Sequence, residues 1–221
     1  GMYVFIPDSG LVGTVFVNCV SNILATMATN VTLSVESQDP ITAPILLQQT
    51  SFGAHGTIGG LQYGQSRDVY FEVPKRVTSQ MFAKAEFMVG GVKQTLTADS
   101  CLAEFEQVAL IAAQRARSLF CTHVFGECTA TDKGLGAPPE TAAALSKKLA
   151  PIAPVHPLIA ALVADLNGEV AMAFAKANLF KKWGRHYLPS LVRANELQQC
   201  NNFKDKSVQL YGAAFFSSIR A

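Results

Sequence analysis

The chain has 221 residues, 49% of them hydrophobic and 15% charged, with a net charge of +2 and a pI near 8.3. That length supports one large domain or two small ones, each with its own core, and the scarcity of charge points to apolar surface left for neighbours or partners. No run of Lys and Arg exceeds two residues, so neither nucleic acid nor an anionic membrane is expected as a partner.

Residues 3–30 read YVFIPDSGLVGTVFVNCVSNILATMATN. An apolar run at 3–8 ends in Pro-Asp, and the apolar stretch behind it predicts a helix capped by Asp8 or Ser9. At helical spacing Leu11, Val15, Asn18, Cys19, Asn22 and Thr26 form one stripe; Val12, Phe16, Val20, Ile23, Leu24 and Met27 form the opposite one. A helix this apolar is expected to be buried and to pack on more than one side. The segment has no basic leader and is interrupted by Asn18, Ser21, Asn22, Thr26 and Thr29, which argues against a signal peptide or a membrane span. Gly1 before Met2 has the look of a scar left by tag cleavage, so a boundary chosen by an experimenter is expected.

Residues 31–99 have strand character. Residues 31–36 (VTLSVE) alternate, 67–73 are rich in β-branched and aromatic residues, and 81–89 and 92–97 flank Gly90-Gly91, a two-residue hairpin signal. Short strands separated by Gly, Pro and Asn turns predict a small antiparallel β-sandwich.

Residues 100–221 read as a helical subdomain. Asp99 or Ser100 caps a helix whose apolar stripe runs Leu102, Phe105, Ala109, Ala112, Ala116 and Leu119, with Gln107, Gln114, Arg115 and Arg117 outside. Residues 126–139 (GECTATDKGLGAPP) read as a loop, and Pro139 opens a short helix to about Ala150. PIAPVHP leads to another helix from Leu158, and Gly168 separates two helical pieces. A final helix over 188–200 follows a break at Trp183-Gly184, and 208–216 predicts a closing strand.

Three stretches carry a resemblance. Residues 3–30 resemble the last strand and last helix of a von Willebrand factor A (VWA) domain, whose Asp-x-Ser-x-Ser metal motif does not occur in this sequence. LQYGQSRDVYF at 61–71 and WGRHYLPSLVRANELQQCNNFKDKSVQLYG at 183–212 resemble the VWA/Hint-associated (Vwaint) module. That module follows the VWA domain in proteins that combine VWA, a Hedgehog/intein-like (Hint) domain and often a U-box. The pattern leads one to expect His near Asn195 and Gly-Gly near Gly212-Ala213. The resemblance implies a fragment of a multidomain protein in which the first strand and helix belong physically to the preceding VWA domain. In VWA-type domains the last helix often shifts when the metal site is occupied, so strands joined to it near 29–31 would sense that shift. The resemblance supplies no activity.

The residues with chemistry are scattered. Five cysteines (Cys19, Cys101, Cys121, Cys128, Cys200) show neither disulfide nor zinc spacing and read as reduced thiols of a cytoplasmic protein. Cys121-Thr-His123 sets a thiol and an imidazole two apart, where helical neighbours point to different faces. Cys128 falls in the expected loop as an exposed thiol, and Cys200 reads as a packed one. His55 and His156 stand alone in expected loops, and His186, beside Trp183 and Tyr187, reads as a packing residue; no metal site or cofactor is expected. The Gly-rich stretch 59–64 lacks the residues of a phosphate loop and reads as a strand turn. Lys181, Lys182, Trp183 and Arg185, with Asn201 and Asn202, form the candidate interaction surface, against the plainer reading of a solvated helix end and an amide-capped turn.

The sequence thus predicts an α+β fold: a strand and helix of VWA type at 1–30, a β-sandwich at 31–99 and a helical subdomain at 100–221. The expected function is a non-enzymatic scaffold and protein-interaction module whose partner is a protein, its own upstream VWA domain included. Two alternatives stand beside it: a module presenting partners in the ubiquitin pathway, and a cysteine-dependent enzyme using Cys121 or Cys128. An apolar helix with its own strand is also a route to a swapped dimer.

Overall fold

The computed structural model describes residues 4–6, 8–44, 47–72, 80–101, 104, 107–134 and 140–221, with the backbone alone at 140 and 141. The Asp8 carboxylate accepts the Gly10 N–H at 2.8 Å, a 3₁₀ turn follows at Ser9–Leu11, and helix α1 runs Val12–Leu24. No strand forms over residues 4–6, contrary to expectation. A lone strand has no ladder to satisfy its backbone, and among the described residues no strand pairs with this segment. Residues 1–3 and Pro7 lie outside the described residues.

Helix α1 passes through Ala25 directly into strand β1 (Thr26–Glu36). Strands β2 (Gln48–Thr50), β3 (Gly53–Gln62), β4 (Phe82–Val89) and β5 (Val92–Asp99) complete one antiparallel sheet in the order β2-β3-β1-β4-β5. Gly53 is required where β3 begins: its φ is +141°, and a Cβ there would meet the Val35 carbonyl oxygen at 1.8 Å. The predicted hairpin is present, with Gly90 and Gly91 both left-handed at φ +56° and +81°.

Among the described residues the predicted sandwich is replaced by this single sheet. Residues 67–71 form no strand, Glu72 makes one isolated bridge to Thr42, and Val73 lies outside the described residues. The reason lies in competing hydrogen bonds. Both backbone groups of Asp68 are taken by side chains of Gln198 and Arg117, and the Arg67 guanidinium bonds back to the Ile58 and Gly60 carbonyls of β3. One face of the sheet is covered by loop segments instead, giving a small core of Ala28, Val31, Val35, Ile41, Leu47, Ala54 and Ile58, with Val69 and Phe71 against it.

Helix α2 (Gln107–Asp132) absorbs the first part of the expected 126–139 loop, so Cys128 is buried in its last turns. Its inner face is Ala113, Gln114, Ala116, Arg117, Phe120, Cys121, Val124 and Cys128, which turns Gln114 and Arg117 inward where they were expected outside. Leu102 and Phe105 fall outside the described residues. Helix α3 (Glu140–Leu149) follows, then a 3₁₀ segment at Ala150–Val155 and helix α4 (Pro157–Asp165), N-capped by His156, whose Nδ1 accepts the Leu158 N–H at 3.1 Å. A kink at Gly168 within Leu166–Val170 separates α4 from α5 (Ala171–Phe174), as predicted. Pro157–Phe174 has the length and apolarity of a membrane span, yet Leu158, Ile159, Leu162, Leu166, Val170 and Ala173 are buried in the larger core.

Short α6 (Ala177–Leu179) leads through a π-helical segment, Phe180–Gly184, straight into α7 (Arg185–Leu197). Trp183-Gly184 is therefore no break. A Cβ on Gly184 would stand 3.1 Å from that of Ala173, so the glycine permits close packing. The expected closing strand is two helices, α8 (Lys206–Gln209) and α9 (Ala214–Arg220). The Asp165 carboxylate binds the Lys206 and Ser207 N–H groups at 2.8 and 2.9 Å and starts α8, while Val208 and Phe216 fill the helical core.

Candidate functional site

A cleft of about 400 Å³ opens where α1 meets the end of the helical unit. Phe5, Leu11 and Val15 form one wall; Met172, Trp183 and Tyr187 form the other; Asn202, Phe203, Lys204 and Asp205 close one end. The Trp183 and Tyr187 rings lie 5.4 Å apart at 59°, and Phe5 stacks on His186 at 6.0 Å. At the rim the Lys204 ammonium pairs with Glu169.

The polar end of the cleft is held by one carboxyl group. Asp205 accepts the Tyr187 hydroxyl at 2.8 Å and the Asn202 amide at 2.9 Å, and Asn202 Oδ1 accepts the Lys204 and Asp205 N–H groups. Burial pushes the Asp205 carboxyl up to about 6, against the Tyr187 bond that lowers it, and nearby Asp165 raises it further. Burial likewise raises Asp165 and the Tyr187 hydroxyl.

Beside the cleft, buried amides join the sheet to the helices. Gln198 sits in the left-handed region, φ +47°, at the end of α7, a conformation unfavourable for a residue with a Cβ. There its side chain clasps the Asp68 backbone, accepting from N–H at 3.0 Å and donating to C=O at 2.8 Å. Arg117 donates to the carbonyls of Asp68 and Asn195 at 2.7 and 3.0 Å and to Gln114 at 2.7 Å. The fully buried Asn195 accepts the Tyr211 hydroxyl at 2.8 Å and donates to Ser207 Oγ at 3.1 Å. On the other side Asn22 of α1 donates to the Cys200 carbonyl at 2.9 Å and accepts from Gln62 of β3 at 2.6 Å.

Helix α1 is therefore seated by polar residues. Asn18, Ser21 and Asn22 are buried, while Phe16 is 68% and Ile23 72% exposed, with Val12, Val17 and Leu24 also outward. The expectation that both sides would be packed is corrected: the helix docks on its own chain through the stripe carrying Asn18 and Asn22, because those amides have carbonyl and amide partners waiting.

Of the candidate interaction residues, Trp183 and Asn202 come together in the cleft, Lys181, Lys182 and Arg185 are exposed on the neighbouring turn, and Asn201 is buried. Sequence reasoning missed Asp68, Arg117, Asn195 and Gln198, although the density of amides in QQCNN was the visible signal. The two thiols weighed as nucleophiles, Cys121 and Cys128, are both buried. Cys121 is fully enclosed, its Sγ at 3.9 Å from the Val192 carbonyl, and burial pushes its thiol up to about 12; burial takes Cys128 up to about 11. His55 lies on β3 rather than in a loop. Among the described residues no cluster of His, Cys, Asp and Glu is placed to hold a metal.

Residues 156–221, from the cap of α4 to the end of α9, match the model of the Vwaint family, described as VWA / Hh protein intein-like. The match covers the helical end of the chain, including Trp183, Tyr187, Asn195, Gln198 and Asp205, and does not extend to the VWA resemblance at residues 3–30. No curated protein and no solved structure matches the chain.

Proposed function

We propose that the chain is a non-enzymatic scaffold and protein-interaction module that couples a VWA-type domain to the later domains of a VWA/Hint-type protein. One observation carries this reading: α1 presents its polar stripe to its own chain and its apolar stripe, with Phe16 and Ile23, to the outside. A soluble monomer has no use for that inversion, and a contiguous outward apolar stripe marks a surface awaiting a partner. The resemblance of residues 3–30 to the end of a VWA domain supports the rest of such a domain as that partner. Because α1 runs into β1 through one residue, a shift of the helix moves the central strand of the sheet.

The test is binding of the VWA-type domain of the same protein, supplied in trans, to the chain and to its Phe16→Ser/Ile23→Ser variant. The variant is expected to keep its thermal stability and lose affinity by at least about tenfold, two exposed apolar anchors being removed. Equal binding by both forms overturns the proposal.

A further inference from the structure

The two margins of the sheet differ. One edge is β2, only three residues long. The other is β5, eight residues in unbroken register with β4 and exposed along its whole length. No proline or bulge interrupts it, and such an edge is a template for another strand. Val92 and Leu96 carry on the apolar face of Val89 and Ala85, their partners on β4, yet are 60% and 63% exposed. Among the described residues β5 pairs with β4 alone.

The hydrogen-bond phase of the open edge follows from the hairpin. A two-residue turn makes Val89 and Val92 a hydrogen-bonded pair. Antiparallel alternation then turns the N–H and C=O of Lys93, Thr95, Thr97 and Asp99 to the open side.

We propose that β5 is the docking edge for a second copy of this chain, pairing antiparallel about a two-fold axis at Leu96. In that register Thr95 stands opposite Thr97 of the second copy and Lys93 opposite its Asp99, so every outward backbone group between them finds a partner. Leu96 meets its own counterpart in a non-hydrogen-bonded pair, on the face whose β4 residues Phe87 and Val89 pack against the small core. The in-phase register about Thr95 sets Lys93 against Thr97 and leaves Asp99 beyond the strand pairing. Opposite charges directly across a ladder are favourable and like charges unfavourable, so Lys93 and Asp99 select the first register. The contact is isologous and closes as a dimer.

Sedimentation velocity and disulfide trapping test this on the full chain. A concentration-dependent dimer is expected below about 100 μM. Thr97→Pro, which removes an outward N–H and leaves the ladder to β4 intact, is expected to yield monomer with unchanged circular dichroism. Lys93→Asp and Asp99→Lys should each weaken the dimer at least about tenfold, and the double exchange should restore it. Independently of stability, Leu96→Cys in a Cys101→Ser background should oxidise to a covalent dimer, since directly opposed residues there have Cα atoms about 4.5 Å apart, within disulfide range. A chain that stays monomeric, or a dimer indifferent to Thr97→Pro and untrapped by Leu96→Cys, overturns the proposal.

Discussion

In the helical unit, large side chains such as Phe120, Ile159, Leu162 and Leu188 are wholly enclosed, and helices cover them on several sides. In the sheet, the small core sits under β1 and β3, and among the described residues every residue of β5 is exposed. The contrast teaches where this protein is self-sufficient and where it is incomplete. The helices close on themselves because the apolar faces of α2, α4 and α7 meet one another. The sheet and α1 hold their places through buried amides and leave apolar surface outside, as an element does when its packing partner is another body. The Arg117–Asp68–Gln198 joint is where the two regimes meet.

The contrast can be broken most forcefully in the larger core. Phe120→Ala should cost about 3–5 kcal/mol of unfolding free energy, whereas Leu96→Ser on the open strand should change it by less than about 0.5 kcal/mol, both read by urea titration at concentrations where the chain is monomeric. Equal effects would mean that the sheet carries as much stability as the helices.

A smaller effect sharpens the description of the joint. Arg117→Ala leaves the Asp68 and Asn195 carbonyls without their charged donor and should cost on the order of 2–4 kcal/mol. Hydrogen exchange should rise first in residues 65–71, ahead of the helices. Uniform loosening would place the joint within one cooperative unit.

The smallest effect is a pH dependence of unusual sign. Burial raises the folded pKa of Asp205 to about 6 and also raises Asp165 and Glu196, so each binds its proton more tightly in the folded state. Their stabilising contribution is full below the unfolded carboxyl pKa and is lost as pH rises through the folded one. Unfolding free energy should therefore fall by about 1–3 kcal/mol between about pH 4 and pH 7, and Asp205→Asn should remove much of that slope. A stability that climbs over this range would refute the assignment.

Much of the fold was legible because it rests on local chemistry. The hairpin at Gly90-Gly91 follows from the turn those glycines demand, α3 from the run behind Pro139, and the kink at Gly168 from the residue least committed to a helix. The tail misled because Val208 to Phe216 is apolar without a clear period, and only the Asp165 carboxylate, far away in sequence, starts a helix there. The inner face of α2 misled for a related reason. Gln114 and Arg117 look solvated by type, and they are buried only because Asp68 and Asn195 offer them partners. Of the candidate site, Trp183 and Asn202 were singled out from the sequence, while the wall formed by Phe5, Leu11 and Val15 was not.

The sequence by itself determined the α+β class, the first helix, the hairpin at Gly90-Gly91 and the helices after Pro139, since these depend on spacing and turn chemistry along the chain. Only the tertiary structure decided that the strands form one open sheet, which face of α1 looks inward, and that Asn22, Gln198 and Arg117 hold the parts together. Those outcomes hinge on which backbone groups find donors and acceptors across long sequence separations, and a buried amide reads the same as a solvated one until its partner is in place.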